Sequence, residues 1–513
     1  MTPRPPRIDR TAFGVSVGLI ALVCIPLFLA PESGGRLVTR AYELLADRFG
    51  LLYQWVTIAV TVFLLWLALS RHGRRRLGEP DSRPEFNTFS WIAMLFCAGI
   101  GSGLLYWSTI EWATYLGQPP FGLEPDSTEA AEWAATYGIF HWGFSAWALY
   151  GFPAVAIAFP YYRKHLPFLR LSTGIHGLIG KEGYDRPPAR IIDLVFILSL
   201  IGGTGTSLGL GTPMIAACIS QVLGIEHTFG LEVAVMAICV VTFAASVYLG
   251  LNRGIKPLSD ASVIAAVCLL LFILIVGPTL FLLRTGTNSL GLLLENFIRM
   301  NTWTDPVDRT GFVEGQTVFY WAWWIAYGPF MGIFVTRISG GRTLRQMIGG
   351  MLLLGTLGCT VFYVILGNYG MHLDLSGALP VRDIAAASGA PAAIAETIGF
   401  LPFGLVALTI FSLVAIVFIA TTYDSASYCL AASATRNLRE GAHPARWHRL
   451  FWACAVGVLP VALMFIGREG DNDSLTVVQS ATLVVSLPVL VVGALMAVSL
   501  MRSLREADRE SET

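Results

Sequence analysis

The sequence predicts an all-α integral membrane protein with about twelve transmembrane helices, and three observations support that fold class. Of the 513 residues, 55% are hydrophobic and only 13% are charged, whereas soluble domains carry about 25% charged residues. Apolar stretches of about 20 residues, enough to cross a bilayer core of about 30 Å, recur along the whole chain. Lys and Arg concentrate in alternate loops between these stretches, a pattern typical of multi-pass proteins.

The apolar stretches, separated by polar breaks, predict twelve spans. They lie near residues 12–30, 50–70, 88–117, 133–161, 191–222, 230–250, 259–283, 312–336, 346–369, 400–434, 449–466 and 476–500. Arg4, Arg7 and Arg10 precede the first stretch, and no small-residue cleavage site clearly follows it. We therefore interpret it as a span and not as a signal peptide. Because twelve is an even number, both termini are predicted to share a side.

The charges of the loops predict which side that is. Basic residues cluster at 71–76, 163–170, 253–256, 337–345 and 436–449, in loops that share a side with the N-terminus. Cytoplasmic loops carry an excess of Lys and Arg, so both termini are predicted to be cytoplasmic. Arg36, Arg40 and Arg48, in the first loop on the opposite side, run against this trend.

The segment 284–311 separates two sets of spans. Its apolar residues are too few and too interrupted to cross a bilayer, so we interpret it as an interfacial linker helix. Residues 1–87 hold two leading spans, 88–283 hold five, 312–502 hold five more, and 503–513 form a short tail. Since five is odd, two such sets in series have opposite topology. That arrangement is the inverted repeat common in secondary transporters.

The sequence lacks the features typical of metal-binding proteins, nucleic-acid-binding proteins and nucleotide-driven pumps. The eight cysteines lie in apolar stretches, without a CxxC pair or a cluster resembling a metal site. The formal net charge is zero, which points to no nucleic-acid partner. No GxxxxGK[ST] motif indicates a nucleotide-driven pump. We predict no cofactor, apart from a coupling ion considered below.

A glycine-rich segment interrupts the third predicted span. Gly99, Ile100, Gly101, Ser102 and Gly103 place three glycines at alternate positions, and each weakens a helix by roughly 1 kcal/mol relative to alanine. A broken helix frees backbone groups that can meet an ion or a substrate near the midplane. Small residues also allow helices to pack closely, and the segment alone does not distinguish these two interpretations.

Aromatic residues are concentrated in two other spans. Six of the nine residues from 319 to 327 are aromatic, against 12% for the whole chain. The candidate site residues are Trp142, Trp147 and Tyr150 in one span and Trp323, Trp324 and Tyr327 in the other. Many membrane tryptophans form interfacial belts, but Trp323 and Trp324 fall in the middle of a span. Inward-facing indoles there would attract a cation such as a quaternary ammonium group.

The span near 400–434 carries a group of polar residues. Thr421, Thr422, Asp424, Ser425 and Ser427 lie within an otherwise apolar stretch. A buried carboxylate in a span indicates an ion pathway, a substrate pathway or a hydrogen-bond network, and hydroxyl oxygens suit sodium. Local hydrogen bonds to helix carbonyls, with Asp424 joining neighbouring helices, are the alternative.

Five segments together resemble the betaine/carnitine/choline transporter family, over residues 88–500. They are 141–150, 250–256, 320–324, 337–343 and 422–428. The resemblance implies a LeuT-like fold of two inverted five-helix repeats after two N-terminal helices, often assembled as a homotrimer. It also implies a location in the lipid bilayer of the bacterial inner membrane. The implied activity is secondary active transport of a small zwitterionic or cationic methylammonium substrate by alternating access.

The resemblance also implies roles for particular residues. The six aromatic residues named above match the substrate-site positions of the family, and the segment 99–103 forms a wall of that site. Phe418, Thr421 and Thr422 match the sodium-binding positions of the sodium-coupled members, which makes Na⁺ the expected coupling ion. Met331 stands where sodium-independent carnitine exchangers place a methionine as an ion substitute. Sodium-coupled uptake is therefore the expected function, with carnitine-type exchange of substrate for product as the alternative.

Two further alternatives come from other function classes. A channel would need a continuous polar pore, whereas the polar residues here are grouped near midspan in aromatic surroundings. An integral-membrane enzyme could use Glu111, His141 and Asp424 as acid and base, but these residues share no metal-ligand spacing. The sequence therefore predicts a carrier and not an enzyme.

Overall fold

The computed structural model of the chain is predominantly helical, which confirms the predicted all-α class. It describes residues 6–29, 31–438, 440–469 and 474–512, with the side chains in these ranges except those of 19–20, 23–39, 41–43, 201–207, 458–483 and 511–512. The α-helices in chain order are α1 (Arg10–Leu29), α2 (Pro31–Leu69), α3 (Thr88–Gly99), α4 (Gly101–Gly117), α5 (Thr128–His141), α6 (Phe144–Arg163), α7 (His176–Ile179), α8 (Pro187–Leu223), α9 (Phe229–Leu249), α10 (Lys256–Val276), α11 (Thr279–Thr302), α12 (Phe319–Ile338), α13 (Leu344–Gly349), α14 (Thr356–Phe362), α15 (Asn368–Leu375), α16 (Val381–Ser388), α17 (Ala390–Gly399), α18 (Gly404–Ser433), α19 (Arg446–Glu469) and α20 (Ser474–Glu512).

Most of the long helices overlap the predicted spans. Within the described residues, eight helical segments are long and apolar enough to cross a membrane, and the bent pair α3 and α4 makes a ninth. Helices α13, α14 and α15 form one of these segments, Leu344–Leu375, with wider helical turns at Gly350–Gly355 and Tyr363–Gly367. The chain is thus a multi-pass membrane protein, whereas the exact number of twelve spans stays a prediction.

Two element boundaries differ from the sequence prediction. Helix α2 begins at Pro31, so the predicted loop holding Arg36, Arg40 and Arg48 is helical. Helix α10 ends at Val276, and α11 begins at Thr279, five residues before the predicted linker boundary at 284. The break falls at Gly277 and Pro278 because proline lacks a backbone N–H and clashes with a continuing helix.

Small residues bring α6 and α12 into close contact. A β-carbon at Gly332 would lie 3.0 Å from the Pro153 backbone, and one at Gly328 would lie 3.3 Å from the Leu149 carbonyl oxygen. Such close approach of backbones is a common way for membrane helices to associate. The helix pair therefore aligns the two aromatic spans side by side.

The N-terminal segment is attached to the loop between α18 and α19. Strand β1 (Arg7–Ile8) pairs antiparallel with strand β2 (Thr435–Arg436), and Asp9 accepts a hydrogen bond of 2.8 Å from Arg436 Nε. Burial opposes ionisation of Asp9, but the hydrogen bond from Arg436 and nearby positive charges hold its pKa below the ordinary value. The contact places residues 7–9 beside a predicted cytoplasmic loop.

The C-terminal end of α20 contacts two other predicted cytoplasmic loops. Asp508 pairs with Arg71 at 2.8 Å, and Glu510 pairs with Arg163 at 2.7 Å and Lys164 at 2.9 Å. Residues 7–9 and the end of α20 therefore lie on the same face of the molecule as these basic loops.

Candidate functional site

The glycine-rich segment breaks one span where it meets α18. Helices α3 and α4 are bent by 68° relative to each other, and Gly101 has a φ of +52°. This left-handed conformation is readily adopted by glycine and costs other residues conformational energy. A β-carbon at Gly101 would lie only 2.4 Å from Thr422 Oγ1. Both interpretations that the sequence left open, a broken helix and close helix packing, therefore describe this segment.

A second break lies between α5 and α6. Helix α5 ends at His141, and Gly143 has non-helical angles of φ −96° and ψ −137°. A β-carbon at Gly143 would lie 2.3 Å from the Ile139 carbonyl oxygen, so the turn requires glycine. Trp142 occupies this break, which directs it toward α12.

The two breaks and α12 surround a narrow cavity of about 10 Å³. Its lining combines residues of the glycine-rich segment with aromatic residues from the α5–α6 break, α6 and α12. The lining residues are Gly99, Ile100, Gly103, Trp142, Tyr150, Trp323, Trp324 and Tyr327. Eight of the eleven substrate-site residues predicted from sequence are thus brought together.

The aromatic rings meet at close range around this cavity. Trp323 and Trp324 stack with centroids 5.0 Å apart and an interplanar angle of 7°. Trp142 approaches Trp324 edge-on at 4.8 Å, and Tyr150 does so at 5.5 Å. All four side chains are buried. The arrangement presents several π faces to one enclosed space.

Hydrogen bonds to backbone carbonyls fix two of these rings. Trp324 Nε1 donates to the His141 carbonyl oxygen at 2.8 Å, which joins α12 to the end of α5. The Tyr150 hydroxyl donates to the Gly99 carbonyl oxygen at 3.1 Å, which joins α6 to the end of α3. Each helix break therefore supplies an acceptor that positions an aromatic side chain.

Three of the predicted site residues lie outside the cavity lining: Trp147, Gly101 and Ser102. Trp147 instead stacks against Phe96 at 6.4 Å and fills the space beside Gly355, where a β-carbon would lie 2.3 Å from its ring. Ser102 points toward α8, because its Oγ lies 3.0 Å from the position of a β-carbon at Gly211. These residues support the walls of the cavity.

The predicted ion-binding residues lie at the break between α3 and α4. Thr422 Oγ1 is 2.9 Å from the Cys97 carbonyl oxygen and 3.0 Å from the Phe418 carbonyl oxygen. Thr421 Oγ1 is likewise 3.0 Å from the Phe418 carbonyl oxygen. Hydroxyl and carbonyl oxygens from two helices thus meet within the protein interior. The hydroxyls also satisfy helix carbonyls locally, which is the alternative that the sequence left open.

Met331 and Asp424 occupy different surroundings. Met331 is buried against Gly99, where a β-carbon would lie 2.8 Å from the Met331 methyl group, so it packs against a residue that lines the aromatic cavity. Asp424 lies beside Ser246 of α9 and faces Arg449 of α19. Asp424 therefore joins neighbouring helices, as the structural alternative for this residue predicted.

A buried polar network behind the aromatic cavity was not predicted from the sequence. The Glu111 carboxylate accepts hydrogen bonds from the hydroxyls of Tyr115, Tyr320 and Tyr363. Tyr115 also contacts His141 Nδ1 at 2.7 Å. Glu111 and Tyr115 lie four residues apart on α4, a spacing that could have indicated their contact, but the other partners come from distant helices.

Comparison with known proteins decides the family. The model of the betaine/carnitine/choline family of transporters matches residues 11–509. The chain belongs to this family. The membership confirms the resemblance seen in the sequence, and it confirms that the protein is a transporter and not an enzyme.

Two bacterial relatives of this transporter cover most of its length. An uncharacterized transporter, YeaV, of Escherichia coli (strain K12) is 35% identical over 429 residues, which represent 84% of this chain and 88% of the relative. A carnitine transporter of Acinetobacter baumannii is 34% identical over 450 residues, which represent 86% of this chain and 80% of the relative. The described aromatic cavity lies within the region matched by the family model.

Proposed function

We propose that this transporter carries a small quaternary ammonium compound of the betaine, carnitine or choline type by alternating access. The observation that supports this most directly is the cavity enclosed by Trp142, Tyr150, Trp323, Trp324 and Tyr327. A trimethylammonium group has no N–H to donate, so aromatic faces are its strongest uncharged binding partners. The relative named as a carnitine transporter is consistent with this substrate class.

We further propose that uptake is coupled to sodium. The oxygens of Thr421, Thr422 and the Phe418 and Cys97 carbonyls supply the hard donors that a sodium ion prefers. They lie at the break that also supplies the Gly99 carbonyl oxygen to Tyr150 of the aromatic cavity. An ion at the break would therefore stabilise the same backbone that shapes the substrate site.

Sodium-independent exchange of carnitine type is the second candidate. The buried Met331 lies against Gly99, and a polarizable thioether beside the cavity could take the place of an ion at the substrate site. Exchange would then need substrate on the opposite side of the membrane in place of a sodium gradient.

Uptake into proteoliposomes tests these proposals. Labelled glycine betaine, choline and carnitine would be supplied with and without an inward sodium gradient, and with and without internal substrate. We expect accumulation that depends on the sodium gradient. Uptake that depends only on internal substrate would establish exchange, and absence of uptake for all three compounds would contradict the substrate class.

Replacing Trp324 tests the aromatic cavity. We expect Trp324→Ala to weaken substrate binding by roughly 1 to 2 kcal/mol, because it removes one π face from a desolvated cation. Trp55→Ala is the matched control, since Trp55 is 61% exposed on α2. Titration calorimetry on the purified proteins would measure both affinities. Unchanged affinity in a correctly folded Trp324→Ala protein would remove the aromatic cavity as the binding site.

Replacing Thr421 tests the sodium proposal. We expect Thr421→Ala to raise the sodium concentration for half-maximal uptake about tenfold, since an oxygen that contacts a charged group contributes roughly 1.5 kcal/mol. Thr409→Ala removes a hydroxyl from the exposed side of the same helix α18 and should leave the sodium response unchanged. Equal sodium responses in both variants would argue for the exchange mechanism.

The proposal also covers the membrane location, orientation and assembly of the transporter. We place the transporter in the bacterial inner membrane, with cytoplasmic termini, as a homotrimer of chains that each have twelve spans and two inverted five-helix repeats. The basic loops on the face that carries both termini support this orientation. Labelling of single cysteines introduced at that face, in sealed inverted and right-side-out vesicles, would test it.

A further inference from the structure

The Glu111 carboxylate is held in the interior by three tyrosine hydroxyls. Tyr115 and Tyr320 donate to Oε1, and Tyr363 donates to Oε2. Glu111 is 1% exposed. The donors come from α4, α12 and the helical turn at Tyr363–Gly367, so the carboxylate connects three separate parts of the fold.

The hydrogen bonds favour a negatively charged Glu111. An ionised carboxylate only accepts hydrogen bonds, and three hydroxyl donors suit that state. The hydrogen bonds of His141 are compatible with a neutral imidazole. Its Nδ1 can donate to the Tyr115 hydroxyl, and its Nε2 can accept from the Thr317 hydroxyl, which lies 3.0 Å away. Among the ion pairs of the described residues, none joins Glu111 to an Arg or Lys. The groups that stabilise an ionised Glu111 are therefore hydroxyls and not a neighbouring cation.

The Tyr320 ring lies between this carboxylate and two tryptophans that line the proposed substrate cavity. The Tyr320 ring, whose hydroxyl binds Glu111, stacks on Trp324 at 5.9 Å and on Trp323 at 6.1 Å. It also contacts Trp142 edge-on at 6.0 Å. The negative charge thus lies behind the aromatic wall, in a low-dielectric region where electrostatic interactions extend further than in water.

We propose that Glu111 is a specificity-determining residue that acts as the fixed counter-charge of the substrate cation. It acts through space and by orienting the Tyr320 ring, without touching the substrate, and is therefore a positioning residue. Its effect is to favour a trimethylammonium group over an uncharged group of the same shape. This inference rests on the proposed function, because it assumes that the aromatic cavity receives the substrate cation.

Binding of paired probes to the purified full-length protein tests the inference. Choline, glycine betaine and carnitine would each be titrated beside the analogue in which carbon replaces the ammonium nitrogen. We expect Glu111→Gln to weaken binding of the ammonium compounds about tenfold, the effect of a unit charge behind the aromatic wall at an effective dielectric constant of about 20. Binding of the carbon analogues should change less than about twofold, because they carry no positive charge at that position.

Two further variants separate charge from structure. Tyr115→Phe removes one hydrogen bond but keeps the carboxylate, and Glu111→Asp keeps the charge on a shorter side chain. Both should retain the wild-type preference for ammonium compounds over carbon analogues, and the Asp variant gives this test even if Glu111→Gln does not fold. Equal losses for both members of a pair in Glu111→Gln, or loss of the preference in Glu111→Asp, would overturn the inference. A wild-type protein that binds none of the ammonium compounds would instead contradict the proposed function.

Discussion

Replacing Gly101 by alanine is expected to reduce substrate uptake more than about tenfold, while Gly117→Ala at the end of the same helix leaves it unchanged. Gly101 has a φ of +52°, a left-handed conformation that costs other residues roughly 1 to 2 kcal/mol. The added methyl group would lie 2.4 Å from Thr422 Oγ1. Overpacking of this kind destabilises a protein by roughly a further 1 to 3 kcal/mol. The break between α3 and α4 would therefore move away from α18.

The measurement is initial uptake into proteoliposomes that contain equal amounts of each variant. Gly117 is the matched control because no other atom lies within 4 Å of its hypothetical β-carbon. Wild-type uptake by Gly101→Ala would show that the conformation at the break is not required for transport.

Replacing Arg170 by glutamine is expected to destabilise the protein by roughly 3 to 5 kcal/mol, the usual effect of leaving one member of a buried ion pair without its partner. Arg170 and Asp193 are both almost fully buried, and Arg170 Nε lies 3.2 Å from Asp193 Oδ2. The guanidinium group also lies 4.5 Å from the Phe168 ring centroid and 5.4 Å from that of Tyr184. The substitution removes the charge and the ring contacts together.

Thermal unfolding of the detergent-solubilised protein measures this effect. Arg190→Gln is the matched control, since the Arg190 side chain is 44% exposed and its contact with Asp185 is 3.8 Å long. An exposed ion pair of this kind contributes at most about 1 kcal/mol. Similar unfolding temperatures for the two variants would contradict a structural role for the buried pair. A double Arg170→Gln, Asp193→Asn variant should be more stable than Arg170→Gln alone, because no unpaired charge remains.

The sequence predicted the general organisation of the site better than its individual contacts. Gly101 falls at a helix break, and Trp323, Trp324 and Tyr327 line the cavity, as the local patterns of glycine and aromatic residues indicated, whereas the break at Trp142 was not predicted. Trp147 was grouped with them, yet it fills the space beside Gly355. An aromatic residue in a span has several possible neighbours, and local spacing does not say which helix it faces.

The bounds of the helices show a similar limit. The break at Gly277 and Pro278 follows from the chemistry of proline, yet the apolar run continues past it, and hydropathy alone placed the end of the span at 283. Helix α2 likewise begins at Pro31, within a stretch whose charges suggested a loop. Hydropathy indicates which residues can contact lipid, whereas backbone hydrogen bonding determines where a helix begins and ends.

By itself the sequence determined that this protein is helical, crosses the membrane several times and belongs to a transporter family, because the bilayer imposes apolar stretches of a fixed length and the family motifs are local. Only the tertiary structure decided which side chains meet. Glu111 is bound by Tyr320 and Tyr363, which lie 209 and 252 residues away in the chain. Such contacts depend on how helices pack, and no pattern within a single helix records the identity of its neighbours.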